Sequence, residues 1–168
     1  MVFLDESGAN TDMTRYYARV EGGARANDST PLNTPTSTTI LSSIRADGEA
    51  VYTTLDGAVN GERFKEYLKE KLIHALKPGD ILIMDNLRSH KVQGVREIVE
   101  SVGAKIIYLP PYSPDLNPIE QMWSKIKAFL RSVKARTVDA LLAAIPLAFQ
   151  FVSAKDVEGW FSSSGYWR

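Results

Sequence analysis

The segment Ile81-Leu82-Ile83-Met84 is an unbroken apolar run, and it constrains the fold more than any other part of the sequence. A strand that is apolar on both sides must be covered on both faces, which is typical of a sheet flanked by helices. Residues 92–102 then have the apolar spacing of a helix, and residues 105–109 form a second β-prone run. This strand–helix–strand order predicts a parallel pair with a right-handed crossover.

The first third of the chain has the pattern of antiparallel strands. Residues 21–37 are rich in Gly, Asn, Ser, Thr and Pro, which predicts a loop, and Ala46-Asp47-Gly48 predicts a hairpin turn. Short strands joined by such turns pair with their neighbours in antiparallel ladders. The segments predicted as strands are residues 2–4, 14–20, 38–44 and 49–54.

The rest of the chain has helical spacing and helix-capping residues. Phe64, Leu68, Leu72 and Leu76 recur every four residues after Asn60, which predicts a capped helix ending near Pro78-Gly79. Further helices are predicted from Asn117-Pro118, from Thr137 to about residue 151, and over residues 156–161.

This order of elements predicts an α/β chain with an RNase H-like fold. We expect a mixed five-stranded sheet, with three antiparallel strands and then parallel strands, flanked by helices. The 168 residues, of which 44% are hydrophobic, suffice for one core, so we expect a single domain over residues 1–168.

Composition excludes several classes of site. The chain has no cysteine and two histidines, which excludes disulfide scaffolds and cysteine nucleophiles and disfavours zinc sites. No apolar run approaches the roughly 18 residues that span a membrane, and the N-terminus lacks a signal-peptide pattern. We expect a cytoplasmic protein with no membrane partner.

Charge is balanced overall but unevenly distributed. Residues 1–60 hold 8 acidic and 4 basic side chains, whereas residues 61–168 hold 12 acidic and 16 basic ones. Residues 121–136 contain five basic residues and no acidic one. Because phosphate binding depends on local basic surface, a net charge of zero does not exclude a nucleic-acid partner.

Three carboxylates stand where chemistry can use them. Asp5 ends the first strand, Asp85 ends the most buried strand, and Glu120 lies in the first turn of the helix after a proline-rich loop. Clustered carboxylates repel one another, and a divalent cation offsets that repulsion. Oxygen ligands favour Mg²⁺ or Mn²⁺, and two such ions can activate a nucleophile and stabilise a leaving oxygen. Structural alternatives stay open: an ordinary turn at Asp5, an Asx-type turn at Asp85, and a capping box between Glu120 and Asn117.

Three motifs around these residues resemble the catalytic blocks of DDE transposases, in particular the bacterial insertion-sequence branch of the mariner superfamily. They are Phe-Leu-Asp5-Glu-Ser-Gly, Ile-Met-Asp85-Asn-Leu-Arg-Ser-His90-Lys and Leu-Pro-Pro-Tyr-Ser-Pro-Asp-Leu-Asn-Pro-Ile-Glu120-Gln-Met-Trp. The 34 residues between Asp85 and Glu120 are typical of that branch. The third block is the most specific, and Glu6 is a candidate substitute for Asp5.

The resemblance implies a catalytic domain in which Asp5, Asp85 and Glu120 bind two Mg²⁺ or Mn²⁺ ions. Such enzymes cut the element ends by hydrolysis and then use the freed 3′-hydroxyl to attack target DNA. The implied partners are double-stranded DNA and a second copy of the chain, and the implied location is the bacterial nucleoid. Family members carry a helix-turn-helix module before this domain. We expect none in this chain, so a separate DNA-binding module is a further expected partner.

Two alternatives remain at this point. One is an RNase H-like nuclease or resolvase that cleaves without joining strands. The other is a catalytically silent partner of a full-length transposase.

Several residues near the triad are candidates for DNA contact. Glu120, Ser124, Lys127 and Arg131 form one stripe on a helix, so both cations face the side of the carboxylate, although a solvated basic face is an equal alternative. His90 is a candidate for phosphate contact or proton transfer, with a structural role in the loop as the alternative. The predicted DNA contacts are Asn86, Arg88, His90, Lys91, Tyr112, Lys127 and Arg131.

Overall fold

The computed structural model describes residues 1–15, 17–32 and 37–166. Its five strands form one sheet in the order β3-β2-β1-β4-β5. The first three strands pair antiparallel, and the last two extend the sheet in parallel beside β1. The predicted mixed sheet is therefore confirmed. The strands are β1 (Val2–Ala9), β2 (Thr38–Arg45), β3 (Ala50–Asp56), β4 (Ile81–Met84) and β5 (Lys105–Tyr108).

Strand β1 is longer than the sequence predicts, and this extension positions the site. Asp5 lies within the strand, opposite Ser42 of β2, rather than at its end. The parallel ladder with β4 ends where Leu4 pairs with Met84. Asp5 and Asp85 are the next residues in the sequence after this pair, so they lie side by side just beyond the parallel ladder.

The prediction of a strand over residues 14–20 is wrong. Residues 14–15 and 17–20 contain no strand, and Tyr16 lies outside the described residues. A β-prone segment becomes a strand only when it has a pairing partner and a face to bury. Both sides of β1 are already paired, with β2 and β4, and Tyr17 is almost fully exposed. The predicted loop contains a short 3₁₀ turn, Glu21–Gly23, and its residues 33–36 lie outside the described part.

Helices cover both faces of the sheet. The Asn60 side chain accepts a hydrogen bond from Arg63 N at 3.0 Å, and the Thr137 hydroxyl accepts one from Ala140 N at 3.2 Å, which confirms both predicted caps. The first helix continues through a π-helical segment, Leu68–Leu72, between α1 and α2. The helices are α1 (Gly61–Tyr67), α2 (Ile73–Ala75), α3 (Val95–Glu100), α4 (Pro118–Val133), α5 (Val138–Gln150) and α6 (Ala154–Ser163).

Helix α3 begins later than the prediction from residue 92. A 3₁₀ turn, Arg88–Lys91, follows β4, and Val92 returns to extended backbone with φ −66° and ψ 150°. Gly94 then has a φ of 94°, a left-handed conformation that glycine adopts readily. The chain therefore turns twice before the helix, and the first of these turns carries His90.

Two apolar clusters hold the sheet between the helices. Strand β4 contributes side chains to both clusters. Ile83 packs with α4, α5 and α6, whereas Leu82 and Met84 pack with α1 and α3. Each such buried side chain contributes about 1.5–3 kcal/mol relative to exposure. The continuous apolar run thus reflects burial on both faces, as predicted.

Among the described residues, no single helix has the length and apolar composition to cross a membrane. Only α5 and α6 together reach that length and composition, as a pair bent by 78°. Leu141, Ile145 and Ala148 of α5 are buried in the core beside α4.

Candidate active site

Asp5, Asp85 and Glu120 line one cleft of about 420 Å³. Asp5 comes from the middle of β1, Asp85 follows β4 directly, and Glu120 lies in the first turn of α4. Three elements that are distant in sequence thus bring the three predicted carboxylates to the same place. The proline-rich segment 110–114 and Asn117 also line the cleft.

Asp5 is the buried member of the three. Only 7% of the residue is exposed, and its Oδ2 accepts a hydrogen bond from Trp123 Nε1 at 3.2 Å. Burial, the largest cause, and the nearby charges of Glu120 and Asp85 together raise the pKa of Asp5 to about 7, against the lowering effect of a backbone hydrogen bond. The site therefore disfavours the charged carboxylate when no cation offsets it.

Trp123 has a function that the sequence reasoning missed. Its position on the apolar face of α4 predicts a core residue, and the structure confirms that it is buried. A buried indole N–H needs an acceptor, and this requirement is the signal that could have pointed to a carboxylate nearby. Which carboxylate it meets depends on how α4 crosses β1.

Asp85 is partly exposed, and one of its oxygens has two neighbours. Its Oδ1 accepts a hydrogen bond from Leu87 N at 3.2 Å, so the predicted Asx-type turn is present. The same oxygen lies 2.7 Å from His90 Nδ1. The turn and the place in the cleft are therefore compatible rather than alternatives.

His90 is fully buried, which is a correction to its predicted DNA contact. Its Nε2 lies 3.2 Å from Glu6 Oε2, and its Nδ1 faces Asp85. The Nδ1–Oδ1 contact is an ion pair without hydrogen-bond geometry. Burial lowers the pKa of His90, but the two carboxylates outweigh this effect and raise it to about 9. The imidazolium is thus an internal bridge with no surface for DNA.

Glu6 points away from the cleft, because successive residues of a strand face opposite sides of the sheet. Its carboxylate contacts His90 on the side covered by α1, and Glu6 does not line the cleft. The structure therefore does not favour Glu6 as a substitute for Asp5.

Glu120 is exposed, and the capping box that competed for it is not formed. The Asn117 side chain makes no capping hydrogen bond, and Glu120 is bonded to Asn117 only through backbone atoms, N to O at 3.1 Å. Asn117 is instead buried in the cleft wall, with its Oδ1 unpaired. The Glu120 carboxylate is therefore not committed to a helix cap.

The chemistry of this donor set fits a hard divalent cation. Carboxylate oxygens are the ligands that Mg²⁺ and Mn²⁺ prefer, and the burial and neighbouring carboxylates that raise the pKa of Asp5 are the conditions that a bound cation would offset. Within the described residues, no three acidic or imidazole side chains already stand close enough together to hold an ion. Of the three carboxylates, Glu120 is the most exposed.

The six other predicted DNA-contact residues fall into three groups. Asn86 and Tyr112 line the cleft, and Tyr112 is fully exposed with a φ of 57°. Arg88 and Lys91 are exposed on the 3₁₀ turn, where the Lys91 ammonium lies 5.1 Å from the centre of the Tyr108 ring. Lys127 and Arg131 are half-buried on α4, roughly 10 and 16 Å along the helix from Glu120.

A mixed open sheet with an acidic cleft beside β1 and β4 defines an RNase H-like domain of the nuclease type. The chain matches the model of the DDE superfamily endonucleases over residues 1–142, and it belongs to that family. No curated protein sequence matches it.

Solved structures of Mos1 transposase share this fold. The Mos1 paired-end complex with the left transposon end superposes with a TM-score of 0.74 at 20% identity, covering 99% of this chain and 56% of that one. The Mos1 mariner paired-end complex with Mn gives 0.72 at 21% identity, with 99% and 53% coverage. The Mos1 catalytic domain gives 0.67 at 16% identity, with 99% and 78% coverage.

These likenesses confirm the predicted RNase H-like fold. The chain spans about half the length of the transposase chains in the two complexes. The bacterial insertion-sequence branch stays a prediction, since the comparisons do not distinguish between branches.

Proposed function

We propose that this chain is the catalytic domain of a DNA transposase that cleaves and joins DNA strands with the help of divalent metal ions. The observation that carries the proposal is the single cleft in which Asp5, Asp85 and Glu120 meet on an RNase H-like sheet. Family membership supports the same conclusion, because the chain belongs to the DDE endonucleases.

Asp5, Asp85 and Glu120 are the proposed ligands of two Mg²⁺ or Mn²⁺ ions. When bound, such ions supply Lewis acidity that activates a water or 3′-hydroxyl nucleophile and stabilises the leaving oxygen of a phosphodiester. Mos1 structures have been solved with Mn and with Mg, which supports the choice of metal.

In this proposal, two of the carboxylates are held in fixed positions and the third is mobile. Trp123 holds Asp5 in a buried position, and the Leu87 amide and His90 hold Asp85. Glu120 can approach or leave, because its side chain is exposed and makes no cap. Two fixed carboxylates and one movable carboxylate would let the site close when DNA and metal are both present.

Double-stranded DNA is the proposed partner, with Asn86 and Tyr112 at the cleft and Arg88 and Lys91 beside it. Lys127 and Arg131 are proposed to contact phosphates further along the duplex. Relatives solved as a transposon-end complex and a strand transfer complex support a DNA substrate. A homodimer and a separate DNA-binding module are proposed from family resemblance.

Manganese binding tests the metal site directly. We expect isothermal titration of the chain with Mn²⁺ to show binding that Asp85→Asn abolishes or weakens strongly, because a carboxylate ligand is replaced by a neutral amide. Asp139→Asn is the matched control, since Asp139 is exposed on α5, away from the cleft. Equal affinity for Asp85→Asn and wild type contradicts the metal assignment.

Strand joining separates a transposase from a nuclease. Precut DNA ends are incubated with the chain, a target plasmid and Mn²⁺, and joined products are counted by gel electrophoresis. We expect joined products from wild type and none from Asp85→Asn. Hydrolysis without joining favours the nuclease or resolvase alternative, and metal binding without either reaction favours a silent partner of a full-length transposase.

A further inference from the structure

The partly buried Glu6 and the buried His90 form a pair behind the cleft, on the opposite side of β1 from Asp5. His90 Nε2 lies 3.2 Å from Glu6 Oε2, and His90 Nδ1 lies 2.7 Å from Asp85 Oδ1. The imidazole is fully buried and therefore spans the gap between a carboxylate outside the cleft and one that lines it.

The imidazole is also held by its surroundings. The Phe64 ring lies against it, with centroids 4.4 Å apart, and the Tyr108 hydroxyl donates a hydrogen bond to the His90 carbonyl at 3.1 Å. Gly61 at the start of α1 packs so close to Val92 that a Cβ there would come within 2.6 Å of Val92 Cγ1. Full burial and the contact with Phe64 leave the His90 ring little rotamer freedom.

Asp85 lacks such packing of its own. It stands one residue beyond the last paired position of β4, and about a third of its side chain is exposed. Both of its contacts, with the Leu87 amide and with His90, are made to Oδ1. The orientation that these contacts hold leaves Oδ2 for a ligand in the cleft.

We propose that Glu6 and His90 are positioning residues that fix the Asp85 carboxylate with its second oxygen toward the cleft. Glu6 acts through His90, and His90 acts on Asp85. The inference rests on the proposed function, because it assigns a support to a carboxylate that we propose as a metal ligand. Changing the outer partner of a metal ligand typically alters metal affinity or activity 10–100-fold.

Manganese affinity of the whole chain tests this support, measured by electron paramagnetic resonance of free Mn²⁺. We expect Glu6→Gln and His90→Gln each to raise the dissociation constant roughly tenfold. Glu70→Gln and His74→Gln are matched controls, because they make the same changes at exposed positions. We expect these controls to bind as wild type does.

Nitrogen-15 NMR of the histidine rings provides a readout that a merely structural role would not move. The chain has two histidines, so His74→Gln assigns both signals. We expect Glu6→Gln and Asp85→Asn each to shift the ring nitrogens of His90 and to leave those of His74 in place.

The outcomes separate this proposal from the proposed function. If wild type does not bind Mn²⁺, or Asp85→Asn binds it equally well, the proposed function fails. If Asp85→Asn loses binding while folded Glu6→Gln and His90→Gln keep wild-type affinity, only the positioning role is overturned. Glu6→Gln decides alone if His90→Gln does not fold. Should neither variant fold, an unshifted His90 signal in Asp85→Asn overturns the positioning role.

Discussion

Replacing Asp5 with Asn should stabilise the metal-free protein at neutral and alkaline pH. Burial and neighbouring carboxylates raise the pKa of Asp5 from 3.8 to about 7. A group whose folded-state pKa is raised costs stability as the pH rises from its unfolded pKa to its folded pKa. The penalty is therefore small at pH 4, grows up to about pH 7, and stays constant above it.

The magnitude follows from the size of the shift. Each pKa unit corresponds to about 1.4 kcal/mol, so the shift of Asp5 sets a ceiling of about 4 kcal/mol on the gain in the free energy of unfolding. Asn has nearly the same shape, and its side-chain oxygen can still accept the Trp123 hydrogen bond. Local relaxation reduces the gain, so we expect about 2–4 kcal/mol, or roughly 5–12 °C in Tm for a domain of this size.

The assay is urea and thermal unfolding in EDTA from pH 4 to pH 8.5, with Asp139→Asn as an exposed control. We expect the advantage of Asp5→Asn to be below about 1 kcal/mol at pH 4 and complete above pH 7. Adding Mn²⁺ should then stabilise wild type more than the variant, because only wild type keeps all three carboxylates. An Asp5→Asn protein no more stable than wild type at pH 8 would refute the reasoning.

Three further predictions concern groups around the site. Trp123→Phe should lower the free energy of unfolding by about 2 kcal/mol in urea titrations, since a buried hydrogen bond to a carboxyl group is lost. A loss no larger than that of a neutral surface substitution contradicts a stabilising hydrogen bond. Lys125 and Ser153 lower the pKa of Asp156 to about 2. The stabilisation of the folded state by these contacts is therefore present above pH 4 and is lost as the pH falls toward 2. The difference in the free energy of unfolding between wild type and Asp156→Asn should shrink over that range. Lys127→Ala should weaken DNA binding equally across sequences. It should also reduce the slope of the logarithm of the binding constant against the logarithm of the salt concentration by about one. An unchanged slope counts against a phosphate contact.

Much of the fold was predictable because it depends on local patterns. The apolar run of β4 requires cover on both faces, and Asn60 and Thr137 cap helices by bonds within one turn. The segment 14–20 shows the limit of such patterns. Its composition suits a strand, yet strand formation also needs a pairing partner and a face to bury, and this information is absent from the segment itself.

The candidate site was predictable in its members but less so in their roles. Spacing and motif identify Asp5, Asp85 and Glu120, and the structure places them in one cleft. His90 shares a motif with Asp85, and the sequence made it a candidate for contact with DNA. Its burial between Glu6 and Asp85 follows from how α1 packs on the turn after β4.

The sequence by itself determined the five strands of the sheet, the caps at Asn60 and Thr137 and the three acidic positions, because each depends on residue type and on spacing over a few residues. The tertiary structure alone decided which charge meets which partner. Strand alternation sends Asp5 and Glu6 to opposite faces, so one carboxylate meets Trp123 and the other meets His90. Glu6 and His90 are 84 positions apart in the sequence, and Asp5 and Trp123 are 118 positions apart. Only the packing of the helices on the sheet brings them into contact.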